Sequence, residues 1–313
     1  MRVSSNTQYI LGTYNLQNKH SQLTRLNEQL STLKRINRAS DDPVAAASIA
    51  DISQSEAMNA QQVKNAKAAS SQLNISDSIL RSASTAIINL KTLAVQAGNS
   101  SLSDENRKSV QSEMREKVKE LVALANTTDG SGNYLFGGTD KSKPPFVLSF
   151  QNTAPQIQID YQGNDQRQYM AISSSREIAV TEPGSLIFGK TSAPPASAGN
   201  ELWQALSSFD ELLTTGPADP NFATNVGSVL TGLDTSLSRM LSSQASIGGR
   251  LQEADSLVDM GEALSIQYAS RISDLEDLDL ARAVSDFEMA KTALEVTQKT
   301  YSQVNQLSLF NFI

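Results

Sequence analysis

Proline placement constrains this chain more than any other feature. Pro43 is the one proline in the first 130 residues, and none follows Pro220. Proline breaks helix interiors, so both ends are free to form helices of unusual length. Residues 131–200 hold six of the nine prolines and seven of the 17 aromatic residues. The chain of 313 residues therefore reads as helical, then β-rich, then helical again.

Asp42 before Pro43 reads as an N-cap and first helical residue, opening a helix to about Gln96. At 1.5 Å per residue that is roughly 80 Å, too long for a compact domain. Ser101 and Ser103 precede a second helix ending near Ala125. Asp219 and Pro220 open a third long segment to about Ser270, which Gly248 and Gly249 weaken locally. Between these, residues 156–161, 168–172 and 177–180 alternate polar and apolar residues around a Gly163-Asn164-Asp165 turn, the pattern of hairpins. Residues 191–200 read as a linker.

Both ends carry heptad stripes. Tyr9, Leu16, Leu23 and Leu30 are seven apart, with Leu26 and Leu33 between them and Gly12 and Lys19 interrupting. Leu280, Phe287, Leu294 and Tyr301 repeat likewise, with Ala283, Ala290, Thr297 and Val304 between them. Such narrow seams suit partner helices. Residues 1–40 carry six Lys/Arg and one Glu; residues 271–313 carry four Lys/Arg and seven Asp/Glu. Opposite signs favour pairing of the two arms. Ser273 with Glu276 fits a capping box, so a helix is expected to start there. The acidic residues Asp274, Glu276, Asp277 and Asp279 then fall in its first turn, favoured by the helix dipole rather than by calcium. An isolated arm cannot recover its ordering entropy from so few leucines, so the arms are expected to order among neighbouring copies. The stretch holding Asn37, Arg38, Asp41, Asp42 and Pro43 is expected to act as a hinge between arm and long helix.

Catalytic chemistry finds no footing. With no cysteine and one histidine, His20, thiol nucleophiles and multi-histidine metal sites are excluded. Residues 132–139 have the spacing of a phosphate loop, but Gly138 stands where the lysine belongs, so a turn is expected. The net charge of −7 argues against nucleic-acid binding. No apolar run long enough to span a membrane occurs, and no cleavable signal peptide is expected at the N-terminus. The expected class is a non-enzymatic structural protein without cofactor or metal.

Specific motifs carry a resemblance. Residues 33–50 (LKRINRASDDPVAAASIA), 247–251 (IGGRL) and 270–279 (SRISDLEDLD) resemble the signatures of the bacterial flagellin family. Residues 133–139 (NYLFGGT), 144–146 (PPF), 161–167 (YQGNDQR) and 307–313 (LSLFNFI) are similar to its hook–filament junction branch. Pro43, where many flagellins carry alanine, departs from the filament pattern.

The resemblance implies a mainly α, elongated fold. The arms, 1–42 and 273–313, would pair as an inner coiled-coil domain. Residues 43–144 and 201–272 would form a long-helix rod, and 145–200 a small inserted outer β domain. It implies an adaptor ring between hook and filament, on which flagellin assembles. Its partners would be further copies of itself, hook-associated protein 1, flagellin, and an export chaperone on the C-terminal arm. Export would run uncleaved through the flagellar type III apparatus to the cell exterior. Interface residues would be Leu16, Leu23, Leu26, Leu30, Leu33, Leu280, Phe287, Leu294, Tyr301 and Val304. The alternatives are a filament-forming flagellin with the same fold and, in a different class, a soluble helical-bundle enzyme.

Overall fold

A computed structural model describes residues 2–99, 102–140, 142–151, 157–173, 175–192 and 199–310. The chain divides into two compact units, Met1–Ala60 with Ala263–Ile313, and Gln61–Glu262. Among the described residues, seven α-helices and four short strands follow in the order α1 (Arg2–Thr32), α2 (Pro43–Ala97), α3 (Asp104–Ala125), β1 (Phe146–Phe150), β2 (Ile157–Tyr161), β3 (Tyr169–Ser173), β4 (Arg176–Ala179), α4 (Gly184–Ile187), α5 (Glu201–Thr215), α6 (Phe222–Glu276) and α7 (Leu280–Phe310). The fold is mainly α with a small β region.

In the unit Gln61–Glu262, buried residues on α2 recur by alternate steps of three and four: Ala66, Ala69, Leu73, Ser76, Leu80, Ala83, Ile87, Leu90, Ala94. On α6 the buried residues include Val229, Leu233, Ser236, Met240, Ile247 and Ala254. These are the facing seams of two antiparallel helices. Cross-links on the rims keep the pairing in step: Ser70 Oγ donates to Asp255 (2.9 Å) and Lys91 pairs with Asp234 (2.6 Å). Gly248 and Gly249 leave α6 unbroken.

The expected hairpin across the turn at 163–165 does not form. Strand β2 pairs antiparallel with β1, and β3 with β4, as two separate two-stranded sheets. The turn is held instead by Tyr161, whose hydroxyl donates toward the carbonyls of Asn164 (2.8 Å) and Phe136 (3.0 Å). Burial, with Asp165 nearby, pushes the Tyr161 phenol up to about 12. Residues 132–139 form turn structure, with Gly132 N–H donating to the Asp129 carbonyl at 3.0 Å.

Sequence reading missed β1 and α5, which together build the centre of this unit. Trp203 of α5 is wholly buried among Phe146 and Phe188. Asp210 of α5, also wholly buried, accepts from Arg115 (2.8 and 2.9 Å) and Gln111 (3.0 Å) of α3. Three further expectations shift. Helix α6 begins at Phe222, two residues beyond Pro220, and runs to Glu276. No helix starts at Ser273, whose hydroxyl instead contacts Asp277. Asp274 and Glu276 therefore sit in the last turn of α6, not the first turn of a new helix, so the dipole argument fails there. As expected, a helix follows Ser103 and ends at Ala125, and Ser103 caps it by accepting from Asn106 N–H at 3.3 Å; Ser101, residues 193–198 of the linker and the final 311–313 lie outside the described residues.

Candidate assembly interface

Helices α1 and α7 pack along their length within the unit that holds both chain ends. Leu16, Leu23, Leu26 and Leu30 are half-buried on α1, while Ala283, Ala290 and Leu294 are buried and Phe287 and Tyr301 half-buried on α7. Ala283 and Ala290, small residues on α7, are buried in this seam, which lets the two helices approach closely. Near the free ends, Tyr9 and Tyr301 rings lie 6.0 Å apart. Thr13 Oγ1 donates to the Tyr9 carbonyl (2.9 Å), leaving the Tyr301 hydroxyl to donate to Thr13 at 3.2 Å.

Three of the expected interface residues stand outside the seam. Leu33 is 55% exposed, Leu280 51% and Val304 39%. Leu33 lies beyond the end of α1 with φ +59°, and Leu280 is the first residue of α7. Val304 drifts off because a straight helix rotates about 20° per heptad away from a seven-residue repeat.

The break between α1 and α2 starts at Leu33, upstream of the stretch at 37–43. It is fastened rather than open. Arg35 N–H donates to the Glu276 carbonyl (2.6 Å), and Leu278 N–H donates to the Leu33 carbonyl (3.1 Å). Lys34 and Asp277 form an antiparallel bridge between them. Lys34 pairs with Glu276 at 2.6 Å, and the Arg35 guanidinium donates to the Leu275 carbonyl at 2.6 Å. Among the described residues this ion pair is where the opposite charges of the two arms meet.

The segment also folds on itself. Asp41 accepts the N–H groups of Asn37 (3.2 Å) and Arg38 (2.9 Å), and Arg38 pairs with Glu28 at 3.2 Å. Asp42 caps α2 by accepting Ala45 N–H at 3.1 Å, and Pro43 is its first residue. That hydrogen bond, with Arg35 beside it, holds the Asp42 carboxyl below the usual range. Asp279 caps α7, accepting Arg282 N–H at 3.2 Å. The acidic run at 274–279 is thus used for a strap and a cap.

Among the described residues no three His, Cys, Asp or Glu side chains converge as a metal site, and no helix is long and apolar enough to cross a membrane. Residues 3–141 match the family model of the bacterial flagellin N-terminal helical region. Flagellar hook-associated protein 3 of Escherichia coli (strain K12) is 30% identical, with 99% of each chain aligned. This chain belongs to the flagellar hook-associated protein 3 group of the flagellin family. Similarity extends to filament proteins: flagellin of Listeria monocytogenes is 24% identical over 98% of this chain and 96% of its own. The crystal structure of hook-associated protein 3 from Legionella pneumophila shares the fold, with TM-score 0.61 and 18% identity over 72% of this chain and 98% of that one. As a hook-associated protein 3 relative, the chain is a structural protein of the flagellar hook–filament junction.

Proposed function

We propose that copies of this chain form the adaptor ring between hook and filament, the platform on which flagellin assembles. In this reading the ring touches hook-associated protein 1 on one side and flagellin on the other. The chain leaves the cell uncleaved through the flagellar type III apparatus, its C-terminal arm held beforehand by a cytoplasmic chaperone. The arms 1–42 and 273–313, the rod 43–144 with 201–272, and the β-rich insert 145–200 are its working parts.

One observation carries the assembly reading. The paired arms are apolar on the outside as well as along their seam: Ile10, Leu11 and Tyr14 of α1 and Met289 and Val296 of α7 are all more than half exposed. A solvated helix pair has no use for such residues, whereas a ring of like helices buries them. The interface residues named from sequence then serve at two levels, the buried ones within a chain and Leu33, Leu280 and Val304 between chains.

A deletion strain tests this. Cells lacking the chain should bear hooks without filaments and leak flagellin into the medium, and a plasmid copy should restore filaments. Normal filaments on the deletion strain would overturn the junction role. Spontaneous polymerisation of the purified chain into long filaments would favour the filament-flagellin alternative.

A further inference from the structure

Heptad seams have a weakness: slipping one helix by seven residues maps leucine onto leucine, so the stripe itself does not choose a register. The two interruptions of the α1 stripe, Gly12 and Lys19, lie one heptad apart. A Cβ built on Gly12 would lie 2.6 Å from both Cδ2 and Cε2 of Tyr301, so the ring occupies the space a side chain would need. The same ring lies tilted against Tyr9, and its hydroxyl donates to Thr13. A one-heptad slip would place Tyr301 against Lys19, where no such space exists. At the other end of the seam the Leu33–Leu278 and Arg35–Glu276 hydrogen bonds hold the same alignment. From Gly12 to Leu33 is 21 residues, three heptads, as from Leu280 to Tyr301.

We infer that Gly12 and Tyr301 form a register pin for the arm pair. The knob of Tyr301 in the notch of Gly12 selects one axial alignment of α1 on α7, and so brings Leu33 and Leu278 level for the strap. Both residues are positioning residues for assembly, an effect that rests on the function proposed above.

Helix propensity makes the test sharp. Glycine weakens a helix interior, so Gly12→Ala on an unimportant face would strengthen α1. The pin requires the reverse. The chain has no cysteine, so a Lys34→Cys/Asp277→Cys pair, placed at the bridge partners, reports the strap by disulfide yield without background. In the oxidised full-length chain, Gly12→Ala should lower that yield at least fivefold, although the strap lies three heptads away. Adding Tyr301→Ala should restore it. An unchanged or raised yield in Gly12→Ala would overturn the pin, as would failure of Tyr301→Ala to rescue it. A negligible yield with Gly12 intact would overturn the strap and the register with it. If the yield falls as expected while swimming cells still carry filaments, the pin stands and the arm pair is dispensable for assembly.

Discussion

The main-chain N–H of Arg35 donates to the carbonyl of Glu276 at 2.6 Å, which puts the break between α1 and α2 level with the break between α6 and α7. Two chain segments that leave their helices at the same height satisfy each other's orphan backbone groups. The arms are therefore held as a pair, and a change of angle in one must carry the other.

Leu33 stores strain at this strap, with φ +59° and a side chain more than half exposed. Leu33→Gly should relieve about 1 kcal/mol without losing packing. Amide exchange at Arg35 and Leu278 should then slow roughly fivefold. Leu33→Val should quicken it, because a β-branched residue resists the left-handed region. Equal exchange in all three chains would show that the bend carries no strain.

Asp42 makes the strap's neighbourhood acid-sensitive. Its folded carboxyl sits below the ordinary value because Ala45 N–H and Arg35 favour the charged form. Its stabilising effect is full above the unfolded value of about 3.9 and is lost as pH falls through the lowered folded one. Exchange at the Ala45 amide should quicken across that acid window. In Asp42→Asn, which keeps a cap acceptor but cannot titrate, this step should vanish.

The buried Asp210 carboxylate, with its side chain wholly excluded from solvent, depends on Arg115. Arg115→Ala should destabilise the unit Gln61–Glu262 by about 3–5 kcal/mol by stranding that charge. Calorimetry should show a matching fall in Tm. Arg115→Met with Asp210→Leu should recover most of it, because no charge remains to be solvated.

Leu294, 8% exposed on α7, tests the seam. Leu294→Asp forces an unpaired carboxylate against α1 at a cost of several kcal/mol. Incorporation into flagella should fail while the unit Gln61–Glu262 keeps its melting temperature. Normal incorporation would show that the seam is not used in assembly.

Much of the architecture was legible along the chain. Proline marks where helices cannot run, so α2 could be bounded to within a residue or two from Asp42, Pro43 and Gly98. The leucine repeats placed α1 and α7 against helical partners, since periodicity of burial is a local property. Helix α5 was legible too, with Leu202, Leu206, Phe209 and Leu213 recurring by steps of four, three and four, but it lies between the linker-like stretch at 191–200 and Pro217, which masked it. Strand β1 escaped because FVLSF has no alternation that separates it from a buried loop. The capping box at Ser273 was a sound local pattern overridden by α6, which continues through it to reach the strap.

The sequence by itself determined that both ends are helical, that each carries a seam, and, with no cysteine and a single histidine, that thiol and multi-histidine chemistry is unavailable. Those properties depend on spacing and residue type, which the chain carries in one dimension. Only the tertiary structure decided which interruptions of the seam matter. Gly12 read as a gap until Tyr301 was found occupying it, and the acidic run at 274–279 read as a helix start until Lys34, Arg35 and Arg282 were found against it. Steric fit and hydrogen bonding are pairwise and short-ranged. A partner more than 240 residues away along the chain leaves no mark on the local pattern until folding brings it within reach.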